Sequence, residues 1–233
     1  MQINYRGQNV LVTGGTKGIG KSLVEHFKDL GANVWYTGRS RQSSNNNYIA
    51  VDFLKEDELS DFLKNISALE LSVVINNAGT NKTGVIEDYS EKDYASIINL
   101  NLTSCFRIMK AVIPGMKERR YGRIVNITSI SSEISMPMRT AYCSSKFGLT
   151  KAAAVECAES GVLINSVGPG VTETELTVDV LGTKKMEQIA ESIPSRRLAK
   201  VDEISRVVMF MASSLNTYMV GQNVIVDGGY TCI

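Results

Sequence analysis

Short β-branched runs that end in glycine or asparagine alternate along this chain with segments of helical period, and that alternation restricts the fold more than any single motif. The first unit is "NVLVTGG" followed by "GIGKSLVEHFKDLG", where Ile19, Leu23, Val24, Phe27 and Leu30 recur at helical spacing and Gly31 closes the turn as a C-cap. "ANVWYTG" and "YIAV" read as the second and third strands, before a polar helix from about Lys55 to Asn65. "SVVINNAG" is the fourth strand, and a long amphipathic helix is expected from Glu91 to Glu118, with Pro114 as the place for a kink. "GRIVNITS" is the fifth strand, Tyr142 to Glu159 the next helix, and "VLINSVGPG" the sixth strand, ending at Pro169. A helix from Val201 to Ser213 and a last strand, "NVIVDGG", complete the series. The pattern predicts an α/β fold: a doubly wound parallel sheet of about seven strands with helices on both faces, joined by right-handed crossovers.

At 233 residues the chain suits one such domain, residues 1–233, and is short for two. Its 25 basic and 24 acidic residues leave a net charge of +1, so no basic field marks it for nucleic acid and a small, neutral partner is expected. Cys105, Cys143, Cys157 and Cys232 are irregularly spaced without a C-x-x-C pair, which argues against zinc and against a disulfide framework. They are read as reduced thiols of a cytoplasmic protein. No basic-then-apolar leader opens the sequence and no apolar run has the length of a membrane span. The polar "RQSSNNN" is taken as a surface loop, and the stretch from Thr174 to Lys200, the longest departure from the alternation, as a mobile lid.

Parallel sheets of this kind bind ligands at the carboxyl ends of their strands, and there the unusual residues collect: "TGGTKGIG", "NNAG", "NITS" and "GPGVTET". Gly14, Gly18 and Gly20 in the first of these allow a tight turn, close backbone approach and an open helix N-terminus, which together form a pyrophosphate cradle. The spacing is G-x-x-x-G-x-G and departs from the G-x-G-x-x-G fingerprint, so a purely structural turn stays open. Where an acidic residue would hold an adenosine ribose, the end of the second strand offers Gly38 and Arg39. With Lys17 nearby, that points to NADP rather than NAD, the competing reading being two ordinary solvated charges. Tyr142 and Lys146 in "YCSSK" lie one helical turn apart, thirteen residues after Ser129. Alone, such a pair is far more often an exposed helical face with a partly packed tyrosine, since it arises often by chance. Set beside a nicotinamide, it suits proton transfer, because an adjacent ammonium favours the phenolate of an otherwise sluggish acid. His26, the one histidine, falls in the first helix and is read as a core or surface residue.

With these residues placed, the sequence resembles a classical short-chain dehydrogenase/reductase over nearly its whole length. The resemblance rests on "TGGTKGIG", "NNAG", "NLTS", "GRIVNITS", "YCSSK", "GPGVTET" and "VDGG", in the family's order. It implies a Rossmann-type fold binding NADP(H), with Tyr142 as acid/base, Lys146 on the nicotinamide ribose, Ser129 orienting the carbonyl and Asn101 holding a water that links Lys146 to solvent. It further implies that Gly14, Thr16, Lys17, Gly18, Ile19, Gly20 and Arg39 meet the cofactor. Asp52 and Phe53 would border the adenine, Asn77, Ala78 and Gly79 its ribose, and Pro169, Gly170, Thr172 and Thr174 the carboxamide and phosphates. Within the family the sequence is most similar to 3-oxoacyl-[acyl-carrier-protein] reductases, through "NLTSCF", "ERRYGRIVNITS" and "PGVTETE". Arg120 matches one of two arginines used there against the carrier protein, and Ser160 stands where the second would be. Two departures stand out: the stretch from Lys146 to Pro169 is about three residues short, in a helix that normally packs between subunits, and the connection after Arg39 lacks the usual helix. The resulting expectation is an NADPH-dependent carbonyl reductase of a 3-oxoacyl thioester, metal-free and a dimer or tetramer. A dehydrogenase of a small alcohol, quinone or sugar-derived substrate in a biosynthetic pathway is the alternative enzyme, and a cofactor-binding sensor or scaffold without catalysis the alternative of another class.

Overall fold

A computed structural model describes residues 2–41, 47–135, 137–146 and 148–233. The loop expected at "RQSSNNN" lies largely outside them. Seven strands form one parallel sheet: β1 (Asn9–Val12), β2 (Asn33–Gly38), β3 (Tyr48–Ala50), β4 (Val73–Asn76), β5 (Gly122–Ile127), β6 (Val162–Pro169) and, after the short strands introduced below, β9 (Asn223–Val226). Their order is β3-β2-β1-β4-β5-β6-β9, so the winding reverses between β1 and β4 and opens a crevice at their carboxyl ends.

Alternate residues of each strand feed opposite layers, as the strand's period of two requires. Val10 and Val12 of β1 pack with Leu23, Val24 and Phe27 of α1 (Gly18–Asp29) and with Ile204 and Val208 of α8 (Val201–Ala212). Leu11 faces the other way, into a layer with Phe62 and Ile66 of α2 (Glu56–Ser67) and Ile108 and Val112 of α4 (Ser104–Glu118). His26 sits half-buried on α1 with Nε2 2.5 Å from Asp202 Oδ1, an α1–α8 contact remote from the strand ends.

Two expected helices are divided. The one predicted over 91–118 is α3 (Glu91–Ile98), a π-helical turn at Asn99–Thr103, and then α4. The interruption falls at Asn101 and not at Pro114, which lies inside α4. The helix predicted over 142–159 is α5 (Thr140–Ser145), then α6 (Leu149–Cys157) and a 3-10 turn at Ala158–Ser160. Gly148 separates α5 from α6 with φ of 97°, a value no helix accepts. The segment expected to be a lid is mostly helical: β7 (Thr172–Glu173) pairs with β8 (Ala199–Lys200), and between them runs α7 (Glu175–Ser192), broken at Gly182. Among the described residues no helix is long and apolar enough to cross a membrane.

Candidate active site

The glycine loop is tied to strands on both sides. Gly14 N–H donates to Thr37 Oγ1 at 3.0 Å and Gly15 N–H to Thr37 O at 2.9 Å, joining it to β2. On the β4 side, Thr13 Oγ1 accepts from the N–H groups of Asn77 and Ala78, both at 2.9 Å, and Asn77 Nδ2 donates to the Thr13 and Gly14 carbonyls at 3.0 and 3.1 Å. Asn77 therefore spends its amide on holding the loop. Gly14 and Gly18 have φ of +65° and +51°, and a Cβ on Gly20 would lie 2.2 Å from Gly14 O. Lys17, the N-cap of α1, makes no side-chain cap, so the N–H groups of the first helical turn face outward without a partner from the cap. Backbone donors, a helix N-terminus and the absence of side chains at close approach fit a pyrophosphate.

The residues expected around the rest of a dinucleotide take varied positions. Thr16, Lys17 and Arg39 are exposed, while Ile19 is half-buried. Lys17 Nζ lies 4.0 Å from Glu175 Oε2 at the start of α7. A Cβ on Gly38 would meet Thr16 Cγ2 at 2.6 Å, which shows how closely the β2 end abuts the glycine loop. Asp52 Oδ1 accepts from Leu54 N–H at 3.0 Å. Phe53 turns its ring into the core, 5.3 Å from that of Phe62, which leaves only its main chain for an adenine. Pro169 ends β6, and Gly170 lies so near Asp227 that a Cβ would be 2.7 Å from its Cα. Thr172 Oγ1 donates to Gly170 O at 3.0 Å, and Thr174 caps α7 by accepting from Thr177 N–H at 3.1 Å.

Tyr142 and Lys146 do share a face. Lys146 Nζ lies 5.4 Å from the centroid of the Tyr142 ring and donates to Ile127 O at 3.0 Å, at the end of β5. Asn101, buried in the π-helical turn, donates to Ser145 Oγ and to Thr80 O, both at 2.9 Å, and accepts from Thr80 N–H at 2.8 Å. Gly79 packs beside both groups: a Cβ there would lie 3.2 Å from Asn101 Oδ1 and 3.4 Å from Lys146 Nζ. Ser129, two residues beyond Ile127, accepts from Ser131 N–H at 3.1 Å. Burial pushes the neighbouring Cys105 thiol up to about 11 against the pull of Lys146, so at neutral pH no thiolate competes for the ammonium. The structure thus joins Asn101, Tyr142 and Lys146 into one cluster, with Ser129 on the strand end to which Lys146 is tied.

A cavity of about 260 Å³ backs onto that cluster, lined by Asn101, Asn126, Ser145, Lys146, Ser166 and Asn223. Behind it runs a chain of buried amides that the sequence reading missed: Asn76 Nδ2 donates to Asn126 Oδ1 at 2.8 Å, and Asn126 Nδ2 to Thr150 Oγ1 at 3.0 Å. The signal was present, since a polar residue inside an otherwise apolar central strand demands a partner.

The chain matches, over residues 14–231, the family model described as enoyl-(acyl carrier protein) reductase. The chain belongs to the short-chain dehydrogenase/reductase family. Another member, the 3-oxoacyl-[acyl-carrier-protein] reductase FabG of Chlamydia pneumoniae, is 32% identical over 99% of this chain and 100% of its own. Among solved short-chain dehydrogenase/reductase-like structures, ElxO with NADP bound is 29% identical, with a TM-score of 0.89 and coverage of 97% of this chain and 99% of that one. The ligand-free aldohexose dehydrogenase of Thermoplasma acidophilum is 30% identical, with a TM-score of 0.89 and coverage of 98% and 95%. As a member of this family the chain is an oxidoreductase of hydroxyl and carbonyl groups.

Proposed function

We propose that the protein is an NADPH-dependent carbonyl reductase whose substrates are 3-oxoacyl thioesters or related ketones. The observation that carries this reading is the Tyr142–Lys146–Asn101 cluster at the strand ends beside the glycine cradle. Bound NADPH supplies the hydride. The Tyr142 hydroxyl gives its proton to the carbonyl oxygen as negative charge develops there. Ser129 already accepts from Ser131 N–H, and among the described residues nothing takes its hydroxyl hydrogen, which leaves that hydrogen to hold the substrate carbonyl. An ammonium has three donors; Ile127 O takes one from Lys146, leaving two for the ribose and the phenol. Asn101 spends its side chain on Thr80 and Ser145, so a water relay from Lys146 runs by its main-chain carbonyl and the polar cavity behind it. Arg39 and Lys17 favour the 2′-phosphate.

A carrier protein would meet Arg120, whose Nη2 donates to Glu159 O at 3.3 Å, without the second arginine that Ser160 replaces. Phe106 on α4 and Val155 on α6 are 49% and 80% exposed, which supports a homo-oligomer. The likeness to an aldohexose dehydrogenase supports a second reading, oxidation of a sugar hydroxyl. Consumption of NADPH over acyl thioesters, quinones and keto-sugars, and reduction of NADP over sugars, separates the two. Cofactor binding without turnover on any of them would reduce the protein to a sensor.

A further inference from the structure

We propose that Arg139 recognises an anionic group, a carboxylate or a phosphate, that the substrate carries a few bonds from its reacting carbonyl; this rests on the reductase reading above and narrows its substrates from uncharged 3-oxoacyl thioesters to the related ketones that bear such an anion. Arg139 is the N-cap of α5, three residues before Tyr142, and its Cζ lies 6.0 Å from the centroid of the Tyr142 ring. Its main chain is held from both sides: Arg139 O accepts from Cys143 N–H at 2.8 Å, and the preceding residue, Met138, accepts through its carbonyl from Gly84 N–H at 3.0 Å. Its side chain is half-buried, yet among the described residues no carboxylate or carbonyl accepts from the guanidinium. The other cations of the cleft have other work. Lys82 pairs with Asp93, Lys146 is bonded to Ile127 O and faces Tyr142, and Lys17 and Arg39 stand at the glycine-loop end, where the cofactor phosphates would lie. Glu133, the nearest carboxylate in sequence, accepts from Asn223 Nδ2 at 2.8 Å and is engaged there.

An arginine fixed at its backbone, beside the reacting phenol and with its planar fork unused, suits the two oxygens of a carboxylate or phosphate. A neutral ketone leaves that fork unsatisfied. Discrimination then follows from the charge of the substrate's tail, on top of the chemistry at its carbonyl.

The test compares acetoacetate with methyl acetoacetate, and dihydroxyacetone phosphate with dihydroxyacetone, at saturating NADPH. The native protein is expected to favour at least one anion over its neutral counterpart by about tenfold to a hundredfold in kcat/KM, mostly through KM, as charge-assisted hydrogen bonds allow. The pair that shows the preference tells carboxylate from phosphate. Arg139→Gln should bring that ratio close to one, and Arg139→Lys should restore part of it. Equal efficiency on acid and ester and on phosphate and alcohol in the native protein would overturn the proposal. So would a loss in Arg139→Gln that falls alike on charged and neutral compounds, which is what a role in tuning Tyr142 alone would give. Quenching of bound NADPH fluorescence by malonate and by inorganic phosphate gives a readout without turnover. If either anion binds the native protein and not Arg139→Gln while no ketone is reduced, the anion site stands and the reductase reading falls. If neither anion binds and no ketone is reduced, both fall.

Discussion

Lys146 of the proposed catalytic pair is held by a different element from Tyr142. Its ammonium is anchored on the Ile127 carbonyl and faces the Tyr142 ring, so it is positioned by the strand while Tyr142 is positioned by α5. Tyr142→Phe should lower kcat by about 10²–10⁴-fold, the usual worth of a positioned proton donor, while NADPH still binds. Lys146→Ala should weaken NADPH binding as well as turnover, and the double variant should be scarcely worse than Lys146→Ala, since residues acting as a unit are not additive. Retention of most reductase activity by Tyr142→Phe would remove the assignment. At the other end of the cleft, Arg39 follows β2, exposed and without a carboxylate partner among the described residues. Arg39→Asp should turn a preference for NADPH into one for NADH, because a carboxylate repels the 2′-phosphate and accepts from the ribose hydroxyls. Equal kcat/KM for the two cofactors in the native protein would show that Arg39 is only a solvated charge.

At the scale of the elements, the strands were legible because each buried run, such as "NVLV" or "GRIVNI", is bounded by glycine or asparagine and has no room for another period. The breaks in the helices were not. The apolar stripe runs on through Asn99–Thr103, so periodicity sees one helix, and only the tertiary demand that Asn101 reach Thr80 and Ser145 opens the π-helical turn. At α5 and α6 the cue was a lone glycine, and a glycine within a helical pattern is ordinarily tolerated. The candidate site was legible as types of residue at strand ends, while its supports, Thr13, Ser145 and the Asn76–Asn126 pair, lie inside the quoted motifs but have hydrogen-bond partners from 24 to 65 residues away or across strands that spacing alone does not reveal. The glycine loop gives this scale its prediction. A Cβ on Gly20 would fall 2.2 Å from Gly14 O and 2.5 Å from Asn77 Nδ2, so Gly20→Ala must push the loop off β4. NADPH affinity should fall at least about tenfold, in line with lost backbone bonds to a charged phosphate. The melting temperature should fall too, and a variant with native affinity would mean that Gly20 does not shape the cradle.

Across the whole molecule, hydrophobic burial joins the sheet to its two helix layers, and ion pairs are arranged at the outer joints between elements. Arg107 of α4 grips Glu56 of α2 with two bonds, at 2.6 and 2.7 Å, and Arg197 grips Glu203 of α8 with two at 2.7 Å. Glu58 accepts from Asp52 N–H at 2.8 Å and from Lys55 and Arg41, both at 3.1 Å, closing the β3–α2 corner. Hydrogen bonds from Arg107 to Glu56, from Asp52 N–H to Glu58 and from Arg197 to Glu203 lead in holding each carboxyl down to about 2, from an ordinary 4.5. A carboxyl whose folded value lies below its unfolded one binds fewer protons in the folded state. Its contribution to stability is therefore complete above about pH 4.5 and is lost as the pH falls toward 2. Glu56 is exposed and Glu58 and Glu203 are half-buried, all within reach of solvent, so the slope of stability against pH is a better readout than its size. Urea midpoints measured from pH 6 downward should drop steeply below the unfolded value. Glu56→Gln, Glu58→Gln and Glu203→Gln combined should lower the midpoint at pH 6 and flatten that slope, and high salt should shrink the difference between variant and native protein. A triple variant with an unchanged acid slope would place acid sensitivity elsewhere and reduce these joints to surface pairs of no consequence.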